Sequence, residues 1–170
     1  MRANELRQWI IIPTLRLLGL YDDSTTKIAF ANEAQVRLLS GTAAQESGIG
    51  ERLRQQGYKD YEGGAFGIYQ IEQTTHNQAL NWLKLNKPQL LTKVLSLRSQ
   101  SLGISPEEEL IYNLYYATAI ARCLYLSVNE PLPIAYDIEA LAQYYKKYYN
   151  TENGAATAAQ FVDNFHKYRC

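Results

Sequence analysis

The sequence predicts an all-α fold, on three observations. Apolar side chains recur at helical spacing, caps and breakers punctuate those stretches at helical lengths, and strand signals are weak throughout. The exception is residues 48–72, which hold six of the ten glycines and read as a loop, with room for a short irregular β-hairpin. At 170 residues and 46% hydrophobic content, the chain is long enough for one buried core and too short to expect two. A single domain over 1–170 is therefore expected.

Leu6, Ile10, Leu17 and Leu18 predict a first helix or pair of short helices, kinked or divided at Pro13 and stopped at Gly19. Asn32 with Gln35 three positions on has the form of a capping box, so the next helix is expected to start there. Val36, Leu39, Ala43 and Glu46 follow at helical spacing, and Gly48 and Gly50 break the helix. After the glycine-rich loop, helix resumes at Thr74 or Thr75 and runs through Trp82 and Leu83; Pro88 opens another, with Leu91, Val94 and Leu95 on one face. Ser105-Pro106-Glu107-Glu108 joins a serine cap, a first-turn proline and a glutamate three after the cap. It is expected to open one helix through Leu114, Thr118, Ala121 and Tyr125, with Pro131 and Pro133 ending the segment. Ile138, Leu141, Tyr145 and Tyr148 mark the next helix, closed by Asn153-Gly154. Thr157 and Gln160 cap the last, with Phe161, Phe165 and Tyr168 inward.

Seventeen basic and seventeen acidic residues give zero net charge. Nothing in that balance calls for a polyanion, so nucleic acid is not an expected partner, while a neutral or polar polymer fits. Arg7, Pro13 and Arg16 interrupt the apolar amino terminus and no small-residue cleavage site follows, so neither a signal peptide nor a membrane span is expected. Cys123 and Cys170 are too few and too far apart for a disulfide framework, and synthesis in a reducing compartment is expected. Cys123 falls in an alanine-rich helical segment and reads as a buried, inert thiol. His76 and His166 lack metal-ligand spacing, and no Walker loop, dinucleotide fingerprint or Gly-x-Ser-x-Gly elbow occurs. No metal or cofactor is expected, and His76 reads as a helix-start or supporting residue. Most of the fourteen tyrosines read as half-buried helix residues, and a minority could line a carbohydrate groove.

The chemistry concentrates in residues 41–76. Glu46 falls where the stripe Val36, Leu39, Ala43 would put its next inward side chain. A carboxyl there is partly desolvated, which favours its neutral form, and glycosidic cleavage needs a carboxylic acid still protonated near neutral pH. Periodicity alone also accommodates a surface glutamate near a helix end.

Glu46-Ser47 at a helix end, followed about twenty residues later by Gly67-Ile68-Tyr69-Gln70-Ile71, resembles the lytic transglycosylase pattern. In that family Glu-Ser ends the catalytic helix, a Gly-Leu-Met-Gln-Ile-like segment lies across the cleft, and a later helix supplies a tyrosine; the nearest match to that tyrosine motif is Leu141-Ala142-Gln143-Tyr144-Tyr145. The chain is also similar to virion-associated lysozyme-like proteins of tailed bacteriophages, through Thr42 to Ser47, Ala65 to His76, Ala119 to Arg122 and Glu130 to Pro133. The resemblance spans about residues 32–165 and implies a lysozyme-like fold. It implies Glu46 as general acid, Ser47 orienting the carboxyl or an acetamido group, and Gly67 admitting the glycan to the backbone. Tyr69 and Gln70 would contact sugar, and Tyr144 or Tyr145 would bond Glu46 or substrate. The motif's asparagine is absent, so both tyrosines remain candidates.

An inverting hydrolase needs a second carboxylate about 6.5–9.5 Å from the acid. Asp60, Glu62 and Glu72 are the candidates, with Glu72 read as a helix-start residue. A transglycosylase needs none, because the muramic 6-hydroxyl attacks. The resemblance thus implies cleavage of the β-1,4 bond between N-acetylmuramic acid and N-acetylglucosamine. The glycan strand and other phage virion proteins would be the partners, and the protein would be made in the host cytoplasm and carried in the particle to the cell wall. Two alternatives are a non-catalytic tail module on the same scaffold and a chitinase-like enzyme.

Overall fold

A computed structural model of the chain describes residues 1–22, 24, 26–55, 64–99, 103–151 and 154–170, with the backbone alone for 26–31. It is mostly helical with one small antiparallel sheet among the described residues, as the sequence predicts. Among them no helix is long and apolar enough to cross a membrane.

The amino-terminal rod is α1 (Ala3–Glu5), a π segment (Leu6–Ile11) and α2 (Ile12–Leu18). Pro13 lacks an amide hydrogen, so the ladder loses a donor there, and the wider π turn just before it absorbs the gap. Gly19 ends α2 in the left-handed region at φ +73°.

Helix α3 (Thr26–Ser47) begins before Asn32, so the expected capping box is not one. Asn32 and Gln35 are buried inside the helix and serve the preceding turn: Asn32 Nδ2 donates to Asp22 O (2.5 Å) and Gln35 Nε2 to Leu20 O (2.7 Å). Gln35 Oε1 also accepts from Arg122 Nε at 2.8 Å. Asparagine and glutamine can close a neighbouring turn as well as a helix end, and tertiary packing decided between the two.

The hairpin expected within 48–72 is β1 (Ala65–Phe66) paired with β2 (Ile71–Glu72), in register Ala65 with Glu72 and Phe66 with Ile71. Helices α4 (Gln73–Asn86) and α5 (Pro88–Ser96) follow; Leu90 and Val94 form the buried face of α5, with Leu91 half-buried beside them. The single helix expected from Ser105 is two, α6 (Pro106–Glu109) and α7 (Leu114–Leu126). Ser105 and Glu108 do form a capping box. Asn113 recaps the chain by accepting from the Tyr116 amide at 3.0 Å, and buried Glu109 holds the break.

Helix α8 (Ile138–Tyr145) runs on into a second π segment (Lys146–Asn150). It stops at Asn150, ahead of the expected Asn153-Gly154, of which Asn153 lies outside the described residues. The last helix, α9 (Ala158–Tyr168), has the expected Thr157–Gln160 capping box and buries Phe161 and Phe165.

Helix α3 is the axis of the core and packs against α7, α8, α9 and the first π segment. Gly41 sets how closely α9 approaches: a Cβ there would lie 2.2 Å from Cζ of Phe161. The Phe161 ring in turn packs against Tyr145, with centroids 4.9 Å apart. A glycine in mid-helix lowers helix propensity, and here it positions the aromatic ring that backs Tyr145.

Candidate active site

Val36, Leu39 and Ala43 are fully buried, so the stripe that carries them drives Glu46, one residue from the end of α3, toward the interior. The helix ends because Gly48 turns left-handed (φ +64°), after which Ile49 N donates back to Ala43 O at 3.0 Å. Ser47 then clamps this end to the hairpin turn. Its Oγ donates to Ile68 O at 2.7 Å and accepts from Gly50 N at 2.9 Å.

Glu46 is partly exposed, facing a groove. Tyr145 Oη donates to Glu46 Oε1 at 2.6 Å. Burial pushes the carboxyl up to about 7, against the opposing pull of the Tyr145 hydroxyl and the nearby Arg52 charge. Desolvation therefore dominates, and the carboxyl is still partly protonated at neutral pH.

Tyr145 is held from two sides. Phe161 backs it, and the Tyr149 ring stacks on it with centroids 5.9 Å apart. Tyr149 stacks on Tyr125 as well, at 5.3 Å, while Tyr125 Oη shares a 2.7 Å hydrogen bond with Thr42 Oγ1. The Tyr149 hydroxyl donates to Tyr69 O at 2.7 Å. One side chain thus touches both Tyr145 and the backbone just before Gln70. Burial holds both Tyr145 and Tyr149 above the usual phenol range, so both remain proton donors.

Gln70 sits in the left-handed region at φ +45°, a conformation that costs a non-glycine residue about 1–3 kcal/mol. Its amide N and Nε2 both donate to Gly67 O, at 3.1 and 2.7 Å, which stabilises the turn. Glu46 and Gln70 line the same groove, of about 960 Å³, at the upper end of the range roughly expected for ligand pockets. One face of α4 forms a wall, and the second π segment with residues 154–156 adds another.

Comparison of the chain with protein-family models, curated proteins and solved structures finds no match.

Of the residues singled out in the sequence, the fold brings Glu46, Gln70 and Tyr145 together. Tyr145, not Tyr144, meets Glu46; the Tyr144 hydroxyl donates to Glu130 O at 2.9 Å. Three expected sugar contacts are corrected. Ser47 and Tyr69 are fully buried and have no surface to offer a ligand. Ser47 fixes the helix end, and Tyr69 Oη accepts from Thr118 Oγ1 at 3.2 Å inside the core. Gly67 faces protein: a Cβ there would lie 1.9 Å from Leu110 O, so it is glycine to admit that backbone.

Of the second-carboxylate candidates, Glu72 is exposed, lines the groove and occupies the N-cap position of α4. Asp60 and Glu62 lie outside the described residues. His76 is buried in the first turn of α4, bonded through Nε2 to Tyr116 Oη at 2.7 Å, and burial lowers its pKa. Cys123 is a buried free thiol, pushed up to about 12 by burial.

Sequence reasoning missed Arg52, Trp82 and Tyr149. For Tyr149 the signal was present, because it follows Tyr145 by four positions on one helical face. Arg52 lies in an irregular segment and carries no periodicity.

Proposed function

We propose that this chain is a glycosidase that cleaves the β-1,4 bond between N-acetylmuramic acid and N-acetylglucosamine in peptidoglycan, on a lysozyme-like scaffold, with Glu46 as general acid. The observation that carries this reading is the Glu46 carboxyl. It is partly buried, paired with one phenol, open to a groove shared with Gln70, and protonated up to about pH 7. The mostly helical fold and the likeness to the lytic transglycosylase motifs support it.

In the first step the Glu46 proton passes to the glycosidic oxygen as the bond to muramic C1 breaks, leaving N-acetylglucosamine with a free 4-hydroxyl. The muramic 6-hydroxyl then adds to C1 while the Glu46 carboxylate takes its proton, which forms a 1,6-anhydro end and restores the acid. Water entering in place of the 6-hydroxyl gives a reducing end. Tyr145 steadies the carboxylate between the two transfers. The same reading puts the protein in a phage particle, among other virion proteins, acting on the bacterial wall.

Mass spectrometry of muropeptides released from purified sacculi tests this. The wild-type chain is expected to release products with anhydro ends, one water lighter than reducing ends. Glu46→Gln is expected to release at most about a hundredth as much in the same time while keeping its circular dichroism. A folded wild-type chain that creates no new ends of either kind would overturn the reading and favour the assembly module.

A further inference from the structure

The groove changes character along its length. Near Glu46 it is polar, with Arg52, Gln70 and Asn150. Thr75, Gln78, Ala79 and Trp82 then carry the wall away along α4, at the i, i+3, i+4, i+7 spacing of one helix face, over roughly 10 Å. At its far end Trp82 shares the groove with Leu124 and Val128 from the end of α7 and beyond. The indole is half-buried, and its N–H has no hydrogen-bond partner among the described residues. A ring fixed by packing on one side, with a free face and a spare donor in a groove, suits a ligand with one apolar face and a polar edge.

We propose that Trp82 is the platform of a distal sugar subsite, stacking on the C–H face of an N-acetylhexosamine ring of the strand whose bond Glu46 cleaves, with the acetamido methyl against Leu124 or Val128. This rests on the glycosidase reading. Continuity with the Glu46 groove argues for the same strand as occupant, and the uncharged Leu124 and Val128 beside Trp82 match a sugar face better than a charged stem peptide.

The chain has two tryptophans, and Trp9 is exposed on the amino-terminal rod. In the full-length Trp9→Phe/Glu46→Gln double variant, Trp82 is therefore the sole tryptophan and cleavage is blocked. Peptide-free glycan strands are titrated into it, read in parallel by tryptophan fluorescence and calorimetry. The expected result is a saturable fluorescence change that tracks the calorimetric isotherm, and a Kd weakened about tenfold when Trp82→Leu is placed in the Glu46→Gln background. Calorimetric binding with no fluorescence change would overturn the Trp82 platform and leave the glycosidase reading standing. No calorimetric binding by the folded protein would overturn both.

Discussion

Two carboxyls, partly exposed Glu46 and buried Glu109, each sit at a helix end, and they are equipped for opposite tasks. Glu109 is almost fully enclosed and accepts from Arg98 Nε (3.1 Å), Asn113 Nδ2 (2.7 Å) and the Ser99 amide. Every donor comes from protein, and three of the roughly four acceptor positions of a carboxylate are filled. Glu46 is less enclosed, accepts from Tyr145 alone among the described side chains, and faces a groove. Withdrawal from water, partial in one and nearly complete in the other, does not by itself distinguish structure from chemistry in this molecule. Unused hydrogen-bonding capacity, turned toward open space, does.

The sharpest way to break the comparison is to remove each carboxyl. Glu46→Gln is expected to lower the rate of sacculus clearing by about 10² to 10⁴ and to leave the fold intact. Glu109→Ala is expected to destabilise by about 2–4 kcal/mol in urea denaturation, because it removes three hydrogen bonds and leaves the half-buried Arg98 guanidinium without its carboxylate, with the rate per folded molecule unchanged. Equal losses of activity per folded molecule would erase the distinction.

The next effect is in the pH dependence of stability. Glu46 has a folded pKa of about 7, above its ordinary value of 4.5, so the native state holds that proton more tightly than the unfolded chain. Its contribution is fully present below about pH 4.5, is lost as pH rises to about 7, and is absent above. Glu46→Gln removes the titration. The variant is expected to gain up to about 3 kcal/mol over wild type near pH 8, and that gain should vanish near pH 4. Paired denaturation curves at the two pH values check it.

Two smaller effects concern what surrounds Glu46. Gly41→Ala is expected to cost about 1–3 kcal/mol by forcing Phe161 off α3, read as a lower midpoint in urea. Tyr145→Phe removes the hydroxyl that holds the Glu46 pKa down, so the alkaline limb of the rate profile is expected to move up by about one pH unit. The ring packing on Phe161 would be kept.

Much of this organisation was legible in the sequence, for local reasons. The Thr157–Gln160 and Ser105–Glu108 boxes, the Gly19 and Gly48 stops and the Val36–Ala43 stripe each follow from rules spanning a turn or two. The errors came where a distant segment decided the outcome. Asn32 has the chemistry of a cap, but the turn at Leu20 and Asp22 recruits it and Gln35 into the helix interior. Gly67 is a glycine because Leu110 approaches it from 43 positions away in the chain. The choice of Tyr145 over Tyr144 needed Phe161 and Tyr149 to fix the ring, and no spacing within α8 encodes that.

The central claim is that Glu46 keeps its proton in an accessible groove near neutral pH, and carbon NMR of the side-chain carboxyls reads it directly. Titration of the uniformly labelled full chain, with the Glu46 resonance assigned by its disappearance in Glu46→Gln, is expected to give a midpoint of about 7. A midpoint near 4.5, the ordinary glutamate value, would contradict the account.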